Sequence, residues 1–99
     1  MDLMKNYNDK ELTIEVGQKI DTSTAPDFQN EIMDEMGKFD SLTLDFKNLE
    51  YISSAGMRVL VLVQKELHPQ NIPFTIINVN DAIIDIFKMA GFDKILNIQ

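Results

Sequence analysis

The alternation of apolar and polar residues indicates where the strands of this chain lie. Residues 11–16 and 42–46 alternate with a period of two, which predicts strands with one buried and one exposed face. Residues 73–79 are mostly apolar and rich in β-branched side chains, so they predict a buried strand. Gly17 is expected to end the first strand, with residues 19–20 forming a short returning strand.

A helix is predicted between the first two long strands. Ser23 or Thr24 is expected to cap it, and Pro26 suits its first turn, where the missing N–H removes no hydrogen bond. Gly37 lies near its expected end. The apolar residues recur at helical spacing and form one stripe, which consists of Phe28, Ile32, Met36 and Phe39.

Residues 57–67 are compatible with a strand or with a buried helix. Their valines favour a strand by propensity, whereas Ser54 as a cap and the amphipathic tail at 64–67 favour a helix. We adopt the helix, partly because of the family resemblance described below, and we expect Pro69 to end it.

A third helix is expected after the apolar strand. Asn80 or Asp81 caps it, Gly91 lies near its end, and residues 95–98 are a candidate for a last strand. Its apolar face consists of Ile83, Ile84 and Phe87. Strands that alternate with helices predict an α/β layer with helices packed on a sheet.

Length, composition and charge narrow the choice of function. The chain has 99 residues, the size of one ordinary domain, and we expect residues 1–99 to form a single domain. Cysteine is absent, which excludes disulfides and thiolate metal sites. No signal segment or run of about 18 apolar residues occurs, so we expect a cytoplasmic protein without a membrane anchor. The net charge of −7 disfavours direct binding to nucleic acid or anionic membranes and favours a basic protein surface as partner.

The residue patterns of catalysis and cofactor binding are missing from the sequence. His68 is the only histidine, and if Ser54 and His68 stand at opposite ends of one helix they are about 21 Å apart, too far for a nucleophile and its base. The four glycines are scattered and predict no phosphate-binding loop. Spacing alone leaves paired-carboxylate catalysis open, although exposed acidic residues are the ordinary explanation. We therefore expect a non-enzymatic protein with no metal and no cofactor.

The segment 44–58 is the most informative part of the chain. An apolar strand leads through a turn into the sequence Ser-Ser-Ala-Gly at 53–56 and then into the predicted helix. Small residues at that turn let another surface approach closely. Serine before a helix is also ordinary capping, worth about 1 kcal/mol. The residues alone leave both interpretations open.

This segment resembles the signature of the STAS family, named for sulphate transporters and anti-sigma factor antagonists. In the family a strand ending in D-[FLV], matched here by Asp45 and Phe46, precedes a hydrophobic-x-[DS]-S-[STA]-G-[LM] loop, matched by residues 52–57. Residues 17–25 are similar to the family's G-x-[IL]-D loop, and the order of elements matches over residues 11–98. The resemblance implies a small α/β fold with a mixed sheet of four to five strands and helices mainly on one face.

The resemblance also implies a set of site residues. Ser54 matches the serine that a partner kinase phosphorylates, and Ser53, at a position that is often Asp in the family, is the second candidate. Asp21 matches an acidic residue near the phosphorylated loop. The expected partner-binding residues are Asp21, Thr22, Ser23, Ser53, Ala55, Gly56, Met57 and Arg58, of which Met57 also suits the core.

By the same resemblance we expect an anti-sigma factor antagonist. The unmodified domain would bind an anti-sigma factor that is also a serine protein kinase, and so free a sigma factor for transcription. Phosphorylation by that kinase would release the domain, and a serine phosphatase would reset it. The alternatives are a constitutive scaffold without phosphorylation and a nucleotide-binding or hydrolytic protein, against which the missing phosphate loop argues. We expect a monomer when the protein is alone.

Overall fold

The computed structural model describes all residues from 1 to 99, as three α-helices packed on a six-stranded sheet. In chain order the elements are β1 (Asp2–Asn8), β2 (Glu11–Ile20), α1 (Ala25–Met33), β3 (Ser41–Asp45), β4 (Leu49–Ile52), α2 (Ser54–Leu67), β5 (Phe74–Ile77), α3 (Asp81–Met89) and β6 (Asn97–Ile98). The four main predicted strands and the three predicted helices are confirmed, with bounds shifted by a few residues. Strands β1 and β4 are additional.

The sheet is mixed, because β1 runs antiparallel to β2 while the other neighbouring strands are parallel. The order across the sheet is β1-β2-β3-β5-β6, and β4 pairs with the end of β2. β2 thus changes partner along its length, from β3 to β4, with an irregularity between Gln18 and Lys19. The returning strand expected at 19–20 is wrong, since Gly17 does not end β2 and the strand continues to Ile20.

One face of the sheet is apolar and carries the helices. In β2 the side chains of Leu12, Ile14 and Val16 are buried, whereas Thr13 and Glu15 on the opposite face are half-buried. A single cluster of 22 buried hydrophobic residues joins these inward positions to the apolar faces of all three helices. Removal of this apolar surface from water is the main force that holds the layers together. The predicted arrangement, a mixed sheet with helices on one face, is confirmed.

β1 was not predicted, because its inward positions combine the apolar Leu3 with the polar Lys5 and Tyr7. Lys5 pairs with Ile14 across the sheet, and its ammonium group reaches Glu31 at 2.7 Å and Glu35 at 3.2 Å on the side of α1. The hydroxyl of Tyr7 donates a hydrogen bond to Glu35 at 2.8 Å. Leu3 is the inward residue of β1 that packs against the apolar core, and polar contacts with α1 and the turn that follows it hold Lys5 and Tyr7.

α1 ends earlier than its apolar stripe predicts. Its last residue is Met33, and the chain continues in turns where Gly37 adopts a φ of +84°. Phe39 is nonetheless buried, and Met36 packs partly against the core. The stripe was read correctly as core, but only its first half is helical.

Candidate functional site

Two loops meet at the carboxyl ends of β2 and β4. These strands are parallel, and Ile20 pairs with Ile52, so the segments that follow them leave the sheet at the same edge. The backbone N–H of Ser53 donates to the carbonyl of Ile20 at 2.7 Å, which ties the two loops together where α1 and α2 begin. The predicted site residues around Asp21 and those around Ser53 are therefore neighbours.

Ser53, and not Ser54, caps α2. The backbone of Ser53 is extended, and its Oγ accepts a hydrogen bond from the N–H of Gly56 at 3.2 Å. Its carbonyl accepts from the N–H of Met57 at 3.0 Å. Ser54, expected at or next to the N-cap, lies next to it and does not itself cap, because the helix begins at Ser54. The Ser53 hydroxyl is half-buried and committed to the helix.

Ser54 is the first residue of α2 and is exposed to solvent. Its hydroxyl forms no hydrogen bond within the chain, and His68 lies beyond the far end of the helix, so the two do not pair. The first N–H groups of a helix have no carbonyl partner in the helix, and the helix dipole favours negative charge there. The position therefore suits an added anionic group.

Asp21 shapes the loop before α1. Its Oδ1 accepts from the N–H of Ser23 at 2.9 Å, the hydroxyl of Ser23 at 2.7 Å and the N–H of Thr24 at 2.9 Å. Thr24 is the N-cap residue of α1, one of the two residues expected there, but its Oγ1 accepts from the N–H of Asp21 at 2.8 Å and makes no capping bond to the helix. These bonds, above all the one from the Ser23 hydroxyl, hold the pKa of the Asp21 carboxyl below its usual value. Asp21 is thus ionised at neutral pH.

The first residues of α2 pack inward to different degrees. Gly56 is buried, and a Cβ added to it would lie 2.6 Å from Ile20 Cγ2 and 2.8 Å from Ile52 Cγ1. Ala55 and Met57 are half-buried and pack against the core. Gly56 therefore lets α2 rest directly on β2 and β4, and it lies beneath the predicted partner-binding surface.

An open groove separates α1 from the first turns of α2. It encloses about 370 Å³, and its lining includes Thr22, Pro26, Gln29, Ala55, Arg58 and Leu62. Arg58 is exposed and forms no salt bridge within the chain. Three of the predicted partner-binding residues, Thr22, Ala55 and Arg58, thus line one groove beside Ser54.

Two asparagines that the sequence did not single out for the site hold the segment leading to the serines. Asn78 Nδ2 donates to Asp45 Oδ1 at 3.0 Å, and Asn80 Nδ2 donates to the carbonyl of Leu49 at 3.0 Å. Asn80 Oδ1 also accepts from the N–H of Ile83 at 2.9 Å, which confirms its predicted role as the cap of α3. Both asparagines come shortly after the buried strand β5, and this position could have indicated that they lie near the end of its parallel neighbour β3.

Sequence and fold both have matches among known proteins. The STAS domain model matches residues 2–99. A Bordetella bronchiseptica protein named as an anti-sigma factor antagonist, BtrV, is 28% identical over 80 residues, which are 80% of this chain and 69% of the relative. An anti-sigma factor antagonist from Mycobacterium paratuberculosis has the same fold, with a TM-score of 0.89 at 20% identity over 98% of this chain and 83% of its own. Bacillus SpoIIAA in its phosphorylated form gives a TM-score of 0.77 at 13% identity over 99% of this chain and 91% of its own.

No helix of the chain has the length and apolar character needed to cross a membrane.

Proposed function

The chain belongs to the STAS domain family, and from that membership and the geometry of its serine loop we propose that it is an anti-sigma factor antagonist. Residues 1–99 act as one non-catalytic domain. The domain binds an anti-sigma factor that is also a serine protein kinase, and this frees a sigma factor for transcription. Phosphorylation of Ser54 releases the domain, and a serine phosphatase restores it.

The accessibility of Ser54 carries this proposal. Ser54 is exposed, and its hydroxyl forms no hydrogen bond with another group of the chain, whereas the hydroxyl of Ser53 accepts from the N–H of Gly56. A kinase needs a hydroxyl that can approach the γ-phosphate of ATP. Ser54 can be presented in this way with the helix cap intact, so it is the phosphorylated residue and Ser53 is the second candidate.

The reaction changes the charge of the surface and leaves the fold in place. The γ-phosphoryl group of ATP passes to Ser54 Oγ, the hydroxyl proton is released and ADP leaves. Hydrolysis by the phosphatase returns the hydroxyl and liberates inorganic phosphate. A phosphoserine carries about −1.5 to −2 charge at neutral pH, and the dipole of α2 accommodates it at the first turn. SpoIIAA has been solved in both unphosphorylated and phosphorylated forms, and both have the fold of this chain.

Release follows from where the phosphate lies. Ser54 directly precedes Ala55, which lines the groove with Thr22 and Arg58, and it directly follows Ser53, whose N–H is bonded to the carbonyl of Ile20 just before the Asp21 loop. A charge desolvated there without a partner is costly. A loss of about 4 kcal/mol in binding free energy would lower the affinity roughly a thousandfold.

Phosphate mapping tests the proposal. The protein is incubated with ATP and an extract of its own source cells in which serine kinase activity has been demonstrated, and the added mass is located by intact and peptide mass spectrometry. We expect one phosphate on Ser54, which is lost in Ser54→Ala and kept in the matched control Ser53→Ala. Phosphate confined to Ser53 would overturn the site. With no phosphate on either serine, the switch is wrong and the constitutive scaffold takes its place.

A further inference from the structure

Arg58 is a cation without a partner, next to the serine loop. It is the only arginine of the chain and the only charged residue that lines the groove between α1 and α2. Lys5 and Lys47 each reach a carboxylate within 3 Å, whereas Arg58 forms no such pair. Its guanidinium is free to meet an anion that the unmodified chain does not contain.

Ser54 and Arg58 lie on the same face of α2. They are four residues apart, which separates them by about 40° around the helix and about 6 Å along it. The buried residues Val59, Leu60 and Val63 occupy the opposite face. Helical side chains lean towards the N-terminus, so the side chain of Arg58 extends over the turn that begins with Ser54.

We propose that phosphorylation of Ser54 captures Arg58. The phosphate on Ser54 and the guanidinium of Arg58 form a charge-assisted, two-pronged hydrogen-bonded pair on the surface of α2. The groove thereby loses its only charged side chain for contact with a partner. This inference rests on the proposed phosphorylation of Ser54, and it adds a second cause of release, because the phosphate removes a contact as well as adding negative charge.

The chemistry of the two groups supports the pair. The planar fork of a guanidinium matches two oxygens of a phosphate, which an ammonium group does not. An acidic group placed four residues before a basic one is the favourable order for a pair on a helix. The Asp21 carboxylate, in the loop that meets the start of α2, accepts hydrogen bonds from Ser23 and Thr24 and forms no salt bridge with Arg58.

The test uses the whole chain with phosphoserine installed at position 54 during synthesis, and it needs neither kinase nor partner. Phosphorus NMR during a pH titration measures the second pKa of the phosphate, which is ordinarily about 6. We expect this pKa to be lower with Arg58 present than in Arg58→Gln, by about 0.2 to 0.4 unit. In Arg58→Lys we expect an intermediate value. Because Arg58 is the only arginine, its Nε–H gives a single NMR signal, which should move when Ser54 carries phosphate.

Lys65→Gln is the matched control. Lys65 is exposed on the same face of α2, and its removal changes the net charge equally. It lies about 16 Å from Ser54 along the helix, beyond the screening length of about 8 Å at physiological salt. If Arg58→Gln shifts the phosphate pKa no more than Lys65→Gln does, and the Arg58 signal does not move, the capture is wrong while the switch at Ser54 stands. Failure of the mapping experiment in cell extract, by contrast, overturns the proposed function and leaves the measured pair untouched.

Discussion

Replacing Gly56 with alanine adds a methyl group where the fold has no space for one. The added Cβ would lie 2.6 Å from Ile20 Cγ2 and 2.8 Å from Ile52 Cγ1. Both isoleucines are buried, at 0% and 2% exposure, so neither side chain can turn away into solvent. Either α2 moves off β2 and β4, or the isoleucines leave their preferred rotamers.

The expected loss follows from two opposing contributions. Overpacking of a core costs about 1–3 kcal/mol, while alanine in place of glycine in a helix returns at most about 1 kcal/mol. The balance lies between about 0 and 3 kcal/mol, and because both contacts of the added Cβ are shorter than 3 Å we expect Gly56→Ala to lower the free energy of unfolding by about 1–2 kcal/mol. In a domain of this size each kcal/mol corresponds to about 4–8 °C, so the melting temperature should fall by roughly 4–16 °C.

Thermal unfolding followed by far-ultraviolet circular dichroism measures this loss, and Gly17→Ala is the matched control. A Cβ at Gly17 would lie 3.7 Å from the nearest atom, which belongs to Asp2, and this is an ordinary contact. Because glycine weakens a strand relative to alanine, Gly17→Ala should melt at or above the wild-type temperature. If Gly56→Ala melts as high as the wild type or as Gly17→Ala, close packing is not the role of Gly56.

Two further predictions concern the helix cap and the edge strand. Ser53→Ala removes the acceptor for the N–H of Gly56, so we expect the free energy of unfolding measured in urea to fall by about 1 kcal/mol. In Ser54→Ala it should stay within about 0.5 kcal/mol of the wild-type value. Equal losses in the two variants would contradict the assignment of Ser53 as the cap. Burial and the hydrogen bond to Glu35 raise the pKa of Tyr7 to about 12. Since this exceeds the unfolded value of about 10, the stability that the neutral phenol contributes is present below pH 10 and is lost as the pH approaches 12. An ultraviolet titration should show Tyr7 ionising at lower pH in Glu35→Gln, and an unchanged curve would refute the coupling.

Local periodicity was enough to predict most of the framework. The alternation at 11–16 and 42–46 became β2 and β3, because a half-buried strand must place every second side chain in the core. The cap at Asn80 was predicted for a similar reason, since its side chain bonds to an N–H only three residues away. These features depend on neighbours in sequence.

Contacts between distant residues decided the parts that were missed. β1 became a strand with Lys5 on its inward face only because Glu31 and Glu35 lie there to receive its charge. β2 passes through Gly17 because β4, which begins more than 30 residues later, pairs with its final residues. Neither partner can be found by reading along the segment itself.

The serine loop was located from the sequence, but the separate roles of its two serines were not. The motif at 52–57 placed both residues at the start of a helix, with Ser54 as the expected cap, whereas Ser53 is the residue that caps. The cap depends on where α2 starts, and that depends on Gly56 seating the helix on Ile20 and Ile52.

By itself, then, the sequence determined β2, β3, β5, α1 and α3, because periodicity and capping act over a few residues, and its motif located the serine loop before α2. The tertiary structure alone decided that Ser53 is committed to the helix, that Ser54 is exposed, and that Arg58 lines the groove with Thr22. Burial and hydrogen bonding of a side chain depend on which elements pack beside it, and the pairing of β2 with β4 sets those neighbours.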